Sequence, residues 1–191
     1  RALGDEVMTL RVDLAALLAE AGIIDVDLDA AVADEHLRSA VYQRVISVLS
    51  ASVSRDGDRA IVATILRDPR SLTAKTAVVA LVDEIAGKAT DPAAFRHWAD
   101  EVLPAADLRD AGVDHEFVRR RIRDWEFALS MQDGRVPSPA ELAEVTDWMQ
   151  RRIAGTSSAL PVLGLLAESG RTRKIRNIAA SRDRSLRPRT I

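Results

Sequence analysis

Arg109 and His115 are a guanidinium and an imidazole with five residues between them, and the polar Asp110 follows the arginine. Such a pair can do chemistry at an anionic centre: the guanidinium stabilises developing negative charge, and the imidazole moves a proton. The other histidines, His36 and His97, are remote in sequence, and none of the three has a second histidine at ligand spacing. No metal site is therefore expected. With no cysteine in the chain, disulfides, thiolate metal sites and a cysteine nucleophile are excluded. Neither a phosphate-cradling G-x-x-x-x-G-K-[ST] nor a dinucleotide-type G-x-G-x-x-G is present, so no cofactor is expected. Asp34-Glu35-His36 and Asp114-His115-Glu116 place acids beside histidine, the pattern of a solvated helix start.

The arginine, polar residue and histidine spacing resembles the RNase motif of HEPN domains, which are all-helical. The resemblance implies that Arg109 and His115 act together on a phosphodiester. Against it stand the 24 arginines in 191 residues, which supply roughly one such match by chance. Gly112 inside the spacing also favours a turn. A non-enzymatic reading therefore ranks first.

Charge is the clearest global signal. Net charge is −2, but residues 171–191 hold eight basic side chains against the single acid Asp183, or +7. The preceding 170 residues, with 19 basic and 28 acidic side chains, are −9. The basic set is Arg171, Arg173, Lys174, Arg176, Arg182, Arg184, Arg187 and Arg189. It could contact phosphates or an acidic protein surface. No aromatic residue follows Trp148, so any nucleic-acid contact would be to the backbone and blind to sequence. A second cluster, Arg119 to Arg121 with Arg123, points several ways around a helix and is read as a solvated face, partly neutralised by Asp124 and Glu126.

The elements that position these residues read as helices. Apolar residues recur at steps of three and four over 5–21, ending at Gly22, and over 30–53 with Leu37, Val41, Val45, Val48, Leu49 and Val53 on one side. Asp34 can divide this second stretch. Residues 24–29 alternate with period two and are read as an extended loop. Further helices are expected over 59–67 and from a Thr73 cap to Gly87. Two more run from Asp91-Pro92 to Pro104, and from Asp114 to Met131 with Val118, Ile122, Trp125 and Leu129 inward. Residues 133–137 are the best linker. Ser138-Pro139-Ala140-Glu141 is a capping box opening a helix to about Ile153. Trp98, Trp125 and Trp148 are expected as core aromatics.

Residues 159–182 read as an apolar helix and a basic helix joined at Gly170. Val162, Leu163, Leu166 and Ala167, then Ile175, Ile178 and Ala179, resemble one unit of the HEAT-like family that includes the variant leucine-rich repeats. The resemblance implies a helical binding scaffold and carries over no functional residue.

The expected architecture is an all-α, irregular bundle of about nine helices with a HEAT-like pair at the C-terminal end. A core spans residues 1–132, a C-terminal helical unit 139–182, and a basic, disordered tail 183–191. The expected function is a non-enzymatic interaction module for a protein partner or a second copy of itself. Electrostatic nucleic-acid binding through 171–189 is the first alternative and HEPN-like RNase activity the second. A cytoplasmic, bacterial setting is expected from the missing signal peptide, the missing membrane span and the arginine-rich, lysine-poor composition.

Overall fold

The computed structural model describes residues 2–188, with side chains from residue 4 onward. Among the described residues there are twelve α-helices and no strand. Nine helices have seven residues or more, in line with the expected all-α bundle. The other three have six residues each. No described helix is long and apolar enough to cross a membrane.

The chain divides into two compact units: Arg1–Ala89 with Ala94–Ile122, and Thr90–Ala93 with Arg123–Ile191. In the N-terminal unit, α1 (Ala2–Ala21) and α2 (Leu28–Ala33) pack on each other and on α3 (Glu35–Ser50). Between α1 and α2, Gly22 adopts φ 66°, a left-handed conformation that favours glycine. Asp34 separates α2 from α3. Its carboxylate accepts from the amides of His36 at 2.7 Å and Leu37 at 3.3 Å, which holds its pKa below the ordinary range.

The buried face of α3 differs from the expected one. Leu37 and Val48 face outward, and Val53 lies beyond the helix, fully exposed. Arg38, Val41, Tyr42, Val45 and Ile46 form the buried stripe. The inward position next to Leu37 is taken by an arginine because Asp68 meets it there. Arg38 Nε donates to Asp68 at 2.6 Å and Nη2 at 3.2 Å, while Tyr42 donates its hydroxyl at 2.8 Å. Burial first, and the Asp68 charge second, push the Tyr42 phenol well above its ordinary pKa, so it stays a donor.

Helix α4 (Asp58–Ile65) leads through the Asp68-Pro69 break to α5 (Ser71–Lys88), which lies against α3. Thr73 is not the cap of α5. The N-cap is Arg70, with no side-chain capping bond, because the break at Pro69 lets the helix start three residues earlier. Helices α6 (Pro92–Val102), α7 (Ala105–Asp110) and α8 (His115–Ser130) follow. Asp91 accepts from Ala93 N–H at 2.9 Å, and Asp114 from Phe117 N–H at 3.1 Å, as N-caps. Trp98 is buried, and its indole N–H donates at 2.8 Å to Asp58, itself buried.

The units part between Ile122 and Arg123, inside α8 and upstream of residue 132. The second half of α8 belongs with the C-terminal unit because Asp124 and Trp125 are engaged there. Asp124 is buried and accepts from Thr146 through both the backbone N–H, at 3.1 Å, and the hydroxyl, so it does not neutralise the neighbouring arginines. The same carboxylate explains why residues 138–153 are two helices and not one. Ser138 and Glu141 form the expected capping box for α9 (Pro139–Glu144). Held by Asp124, Thr146 then caps α10 (Asp147–Thr156) by accepting from Met149 N–H at 3.3 Å. Trp125 is buried and meets the half-buried Trp148 edge-on at 6.1 Å, with the Arg152 guanidinium 4.7 Å above the Trp125 ring.

Helices α11 (Leu160–Ser169) and α12 (Arg173–Leu186) form an antiparallel-type hairpin turn at Gly170 and pack on each other and on α10. At Gly170 the need for glycine is space. A Cβ there would lie 2.5 Å from the Leu166 carbonyl oxygen and 2.9 Å from Ile175 Cγ2. Helix α12 continues to Leu186, past residue 183 where the tail is expected to begin. Asp183 and Arg187 staple its last turn one helical turn apart.

Candidate functional site

The eight basic residues of the C-terminal segment divide by what they touch. Arg171 is a structural residue. Its Nη2 donates to the carbonyls of Ala143 at 2.6 Å and Val145 at 2.8 Å, where α9 ends. Its Nη1 meets Asp147 at 2.6 Å, and its backbone N–H donates at 2.9 Å to the side chain of Gln150. Gln150 is buried and in turn donates to the Leu142 carbonyl at 2.8 Å.

Arg182 does the same for α10: Nε donates to Ser157 O at 2.6 Å and Nη2 to Thr156 O at 3.2 Å. The last carbonyls of a helix lack intrahelical partners and carry partial negative charge, so a guanidinium satisfies them on both counts. Arg176 Nη1 donates to the Gly170 carbonyl at 2.7 Å and so braces the α11–α12 turn. Arg187 Nε pairs with Asp183 at 2.7 Å, and that bond lowers the Asp183 pKa and raises that of Arg187.

Arg173, Lys174 and Arg184 remain. All three are exposed and have no ion-pair partner among the described residues. Ile175 and Ala179 are the buried residues of α12. At about 100° per residue, Arg173 and Arg184 share one azimuth on the opposite side, about three turns apart. Lys174 lies about a quarter turn round the helix from them. Arg189 lies outside the described residues.

The elements deliver this face by ordinary means. Thr172 caps α12, accepting from Ile175 N–H at 3.2 Å. Ile175 and Ala179 fix the rotation of the helix by burial, which turns the charged positions to solvent. A stripe of this kind can hold carboxylates or phosphates by charge.

Arg109 and His115 lie on either side of the Gly112 turn, where φ is 69°. Arg109 is exposed in α7; His115 opens α8, half-buried, 3.2 Å from Glu116. No hydrogen bond joins them, and neither lines the two clefts found on the N-terminal unit. Of the second arginine cluster, Arg119, Arg120 and Arg123 are exposed, and Arg121 lies 3.8 Å from Asp83 and 5.8 Å from the Phe117 ring centre. Among the described residues no group of His, Cys, Asp or Glu is placed to hold a metal ion.

The carbonyl-capping roles of Arg171, Arg176 and Arg182 are what sequence reasoning misses. No local pattern marks them, since their partners are mostly more than twenty residues away in sequence or on the far side of a turn. Comparison of the chain with known protein families, curated proteins and solved structures finds no match.

Proposed function

We propose that the protein is a non-enzymatic helical interaction module whose α12 receives an acidic segment of a protein partner. One observation carries the reading: Arg173, Lys174 and Arg184 are exposed on α12 and form no ion pair among the described residues. Four of the eight basic residues of the segment, Arg171, Arg176, Arg182 and Arg187, are occupied in bonds within the unit, so what is left for a partner is a short stripe. A stripe of three charges suits a short acidic peptide better than a long polyanion, because affinity for nucleic acid grows with the number of phosphates neutralised. No observation favours the RNase reading.

The test is fluorescence anisotropy with two labelled probes, a glutamate-rich peptide and a single-stranded RNA, at low and at physiological salt. The peptide should bind, and the charge reversals Arg173→Glu, Lys174→Glu and Arg184→Glu together should abolish that binding without changing the circular dichroism spectrum. Preference for the RNA, with a steep salt dependence, would transfer the face to nucleic acid. Peptide affinity untouched by the triple reversal would remove α12 as the site.

A further inference from the structure

The first turn of α5 leaves three backbone donors open. Ala74 N–H is the first to find a carbonyl, that of Arg70 at 3.1 Å. The N–H groups of Ser71, Leu72 and Thr73 have no partner among the described residues, and no side chain caps the helix. At 18 residues, α5 is long enough to present the full partial positive charge of a helix N-terminus.

A second observation, independent of the helix end, points to a ligand. Thr73 is only 7% exposed, lines a cleft of about 510 Å³ over this turn, and its hydroxyl makes no hydrogen bond. The residue is buried, but its hydroxyl oxygen keeps some accessible surface, so it is an unspent donor at the cleft. Thr76, one turn on and lining the same cleft, has satisfied its hydroxyl on the Leu72 carbonyl at 2.9 Å. Thr73 has not, and the small part of it that is accessible opens on the cleft.

Arg70 stands at the same mouth. Its Nε is held by Glu35, which fixes the guanidinium plane, while Nη1 and Nη2 donate no hydrogen bond. His36 and Ser39 complete the polar wall. Three N–H groups, one unspent hydroxyl and two Nη groups outnumber what the two oxygens of a carboxylate can accept. They match the three terminal oxygens of a phosphate group. The cleft is also roomier than a phosphate, within the roughly 300–1,000 Å³ typical of small-ligand sites.

We propose that the N-terminus of α5, with Thr73 and Arg70, is a binding site for a phosphate group, either free or carried as the monoester of a small molecule. The phosphate sits on the Ser71–Thr73 amides, accepts the Thr73 hydroxyl and is flanked by the Arg70 Nη groups. In a monoester the organic part occupies the rest of the cleft. Glu35 is the counterweight. It orients Arg70, and its charge opposes the dianion. The site does not depend on the α12 face, and either can fail without the other.

The experiment follows the amide NMR spectrum of the full chain titrated with inorganic phosphate, with glycerol 3-phosphate, and with sodium chloride at matched ionic strength. Both phosphates should shift the Ser71, Leu72 and Thr73 amides saturably, and chloride should not. Tighter binding of glycerol 3-phosphate assigns the site to a monoester; equal affinity assigns it to free phosphate. Thr73→Val should weaken binding about fivefold, and Arg70→Gln about tenfold. Thr73→Ser, which keeps the hydroxyl, should recover most of the affinity that Thr73→Val loses, and Thr76→Val, whose hydroxyl is already used on the Leu72 carbonyl, should leave binding unchanged. Glu35→Gln should tighten binding, a gain that a damaged fold cannot produce. Shifts reproduced by chloride, or affinities unaltered in both Thr73→Val and Arg70→Gln, would overturn the proposal.

Discussion

Arg38 in the N-terminal unit and Arg171 in the C-terminal unit each close the end of a six-residue helix. Arg38 Nη1 donates to the carbonyls of Ala31 and Val32 in the last turn of α2, each at 3.2 Å, as Arg171 Nη2 does at the end of α9. Helices this short do not persist on their own, so each depends on a guanidinium brought from elsewhere. The depth of the two residues differs sharply. The side chain of Arg38 is 4% exposed and that of its partner Asp68 0%, against 43% for Arg171 and 44% for Asp147.

Burial changes what the rest of the group requires. Every side of the Arg38–Asp68 pair is satisfied by protein: the carboxylate takes Tyr42 and the Arg70 N–H in addition to the guanidinium. Arg171 can leave part of its hydration to water. The same capping task is thus a strong constraint in one unit and a modest one in the other.

The largest test of that contrast is Arg38→Met. It strands the Asp68 carboxylate in the interior and should cost about 3–5 kcal/mol in urea unfolding. Replacing both residues, Arg38→Met with Asp68→Leu, should cost less than the single change, and a double variant no better than the single would show that the pair matters for shape alone. Next comes Gly170→Ala. The added Cβ meets the Leu166 carbonyl at 2.5 Å and displaces the turn that delivers Arg171. A loss of about 2 kcal/mol is expected, confined to the C-terminal unit in hydrogen exchange. Arg171→Ala itself should cost about 1 kcal/mol. A penalty equal to that of Arg38→Met would break the comparison.

Asp58 offers an intermediate case. It is buried like Asp68, but its cation is less close, with Arg55 Nη1 at 3.4 Å. Burial raises its pKa, against the opposing pull of the Trp98 N–H and Arg55. The sign follows. A carboxyl with a raised folded pKa contributes stability below its ordinary value of 3.8, and that contribution is lost as pH rises through the folded value. The stability of the parent relative to Asp58→Asn should therefore fall as pH rises from 3 to 7, and a flat difference would show that the Trp98 N–H and Arg55 offset its burial in full. The smallest effect is expected from Arg173→Ala, which should change stability by less than about 0.5 kcal/mol because the side chain holds nothing in place.

What the sequence made legible is what is decided locally. Asp34, Asp91, Asp114 and the Ser138 box are caps whose partners lie two or three residues away, and each closes its helix as the pattern suggests. The inward turn of Arg38 was hidden because its reason is Asp68, thirty residues on. The break at Thr146 was hidden likewise, since the deciding carboxylate is Asp124, on another helix. The basic segment was visible as a charge excess, but charge alone does not tell a cap from a contact surface. Thr73 looked like a cap because threonine before an apolar stripe usually is one. Only the position of Pro69 and Arg70 in space shows it inside the helix with a hydroxyl unspent.

The clasp of α9 and α10 by Arg171 and Arg182 also sets an order in time. A chain made from its N-terminus presents residue 68 soon after residue 38, so the Arg38 network can close early in synthesis. The ends of α9 and α10 close only once residues 171 and 182 have been made, after the Arg38 network has had time to form. A ribosome paused within α11 would hold a nascent chain with two short helices unfastened and Gln150 lacking the Arg171 amide that its side chain accepts.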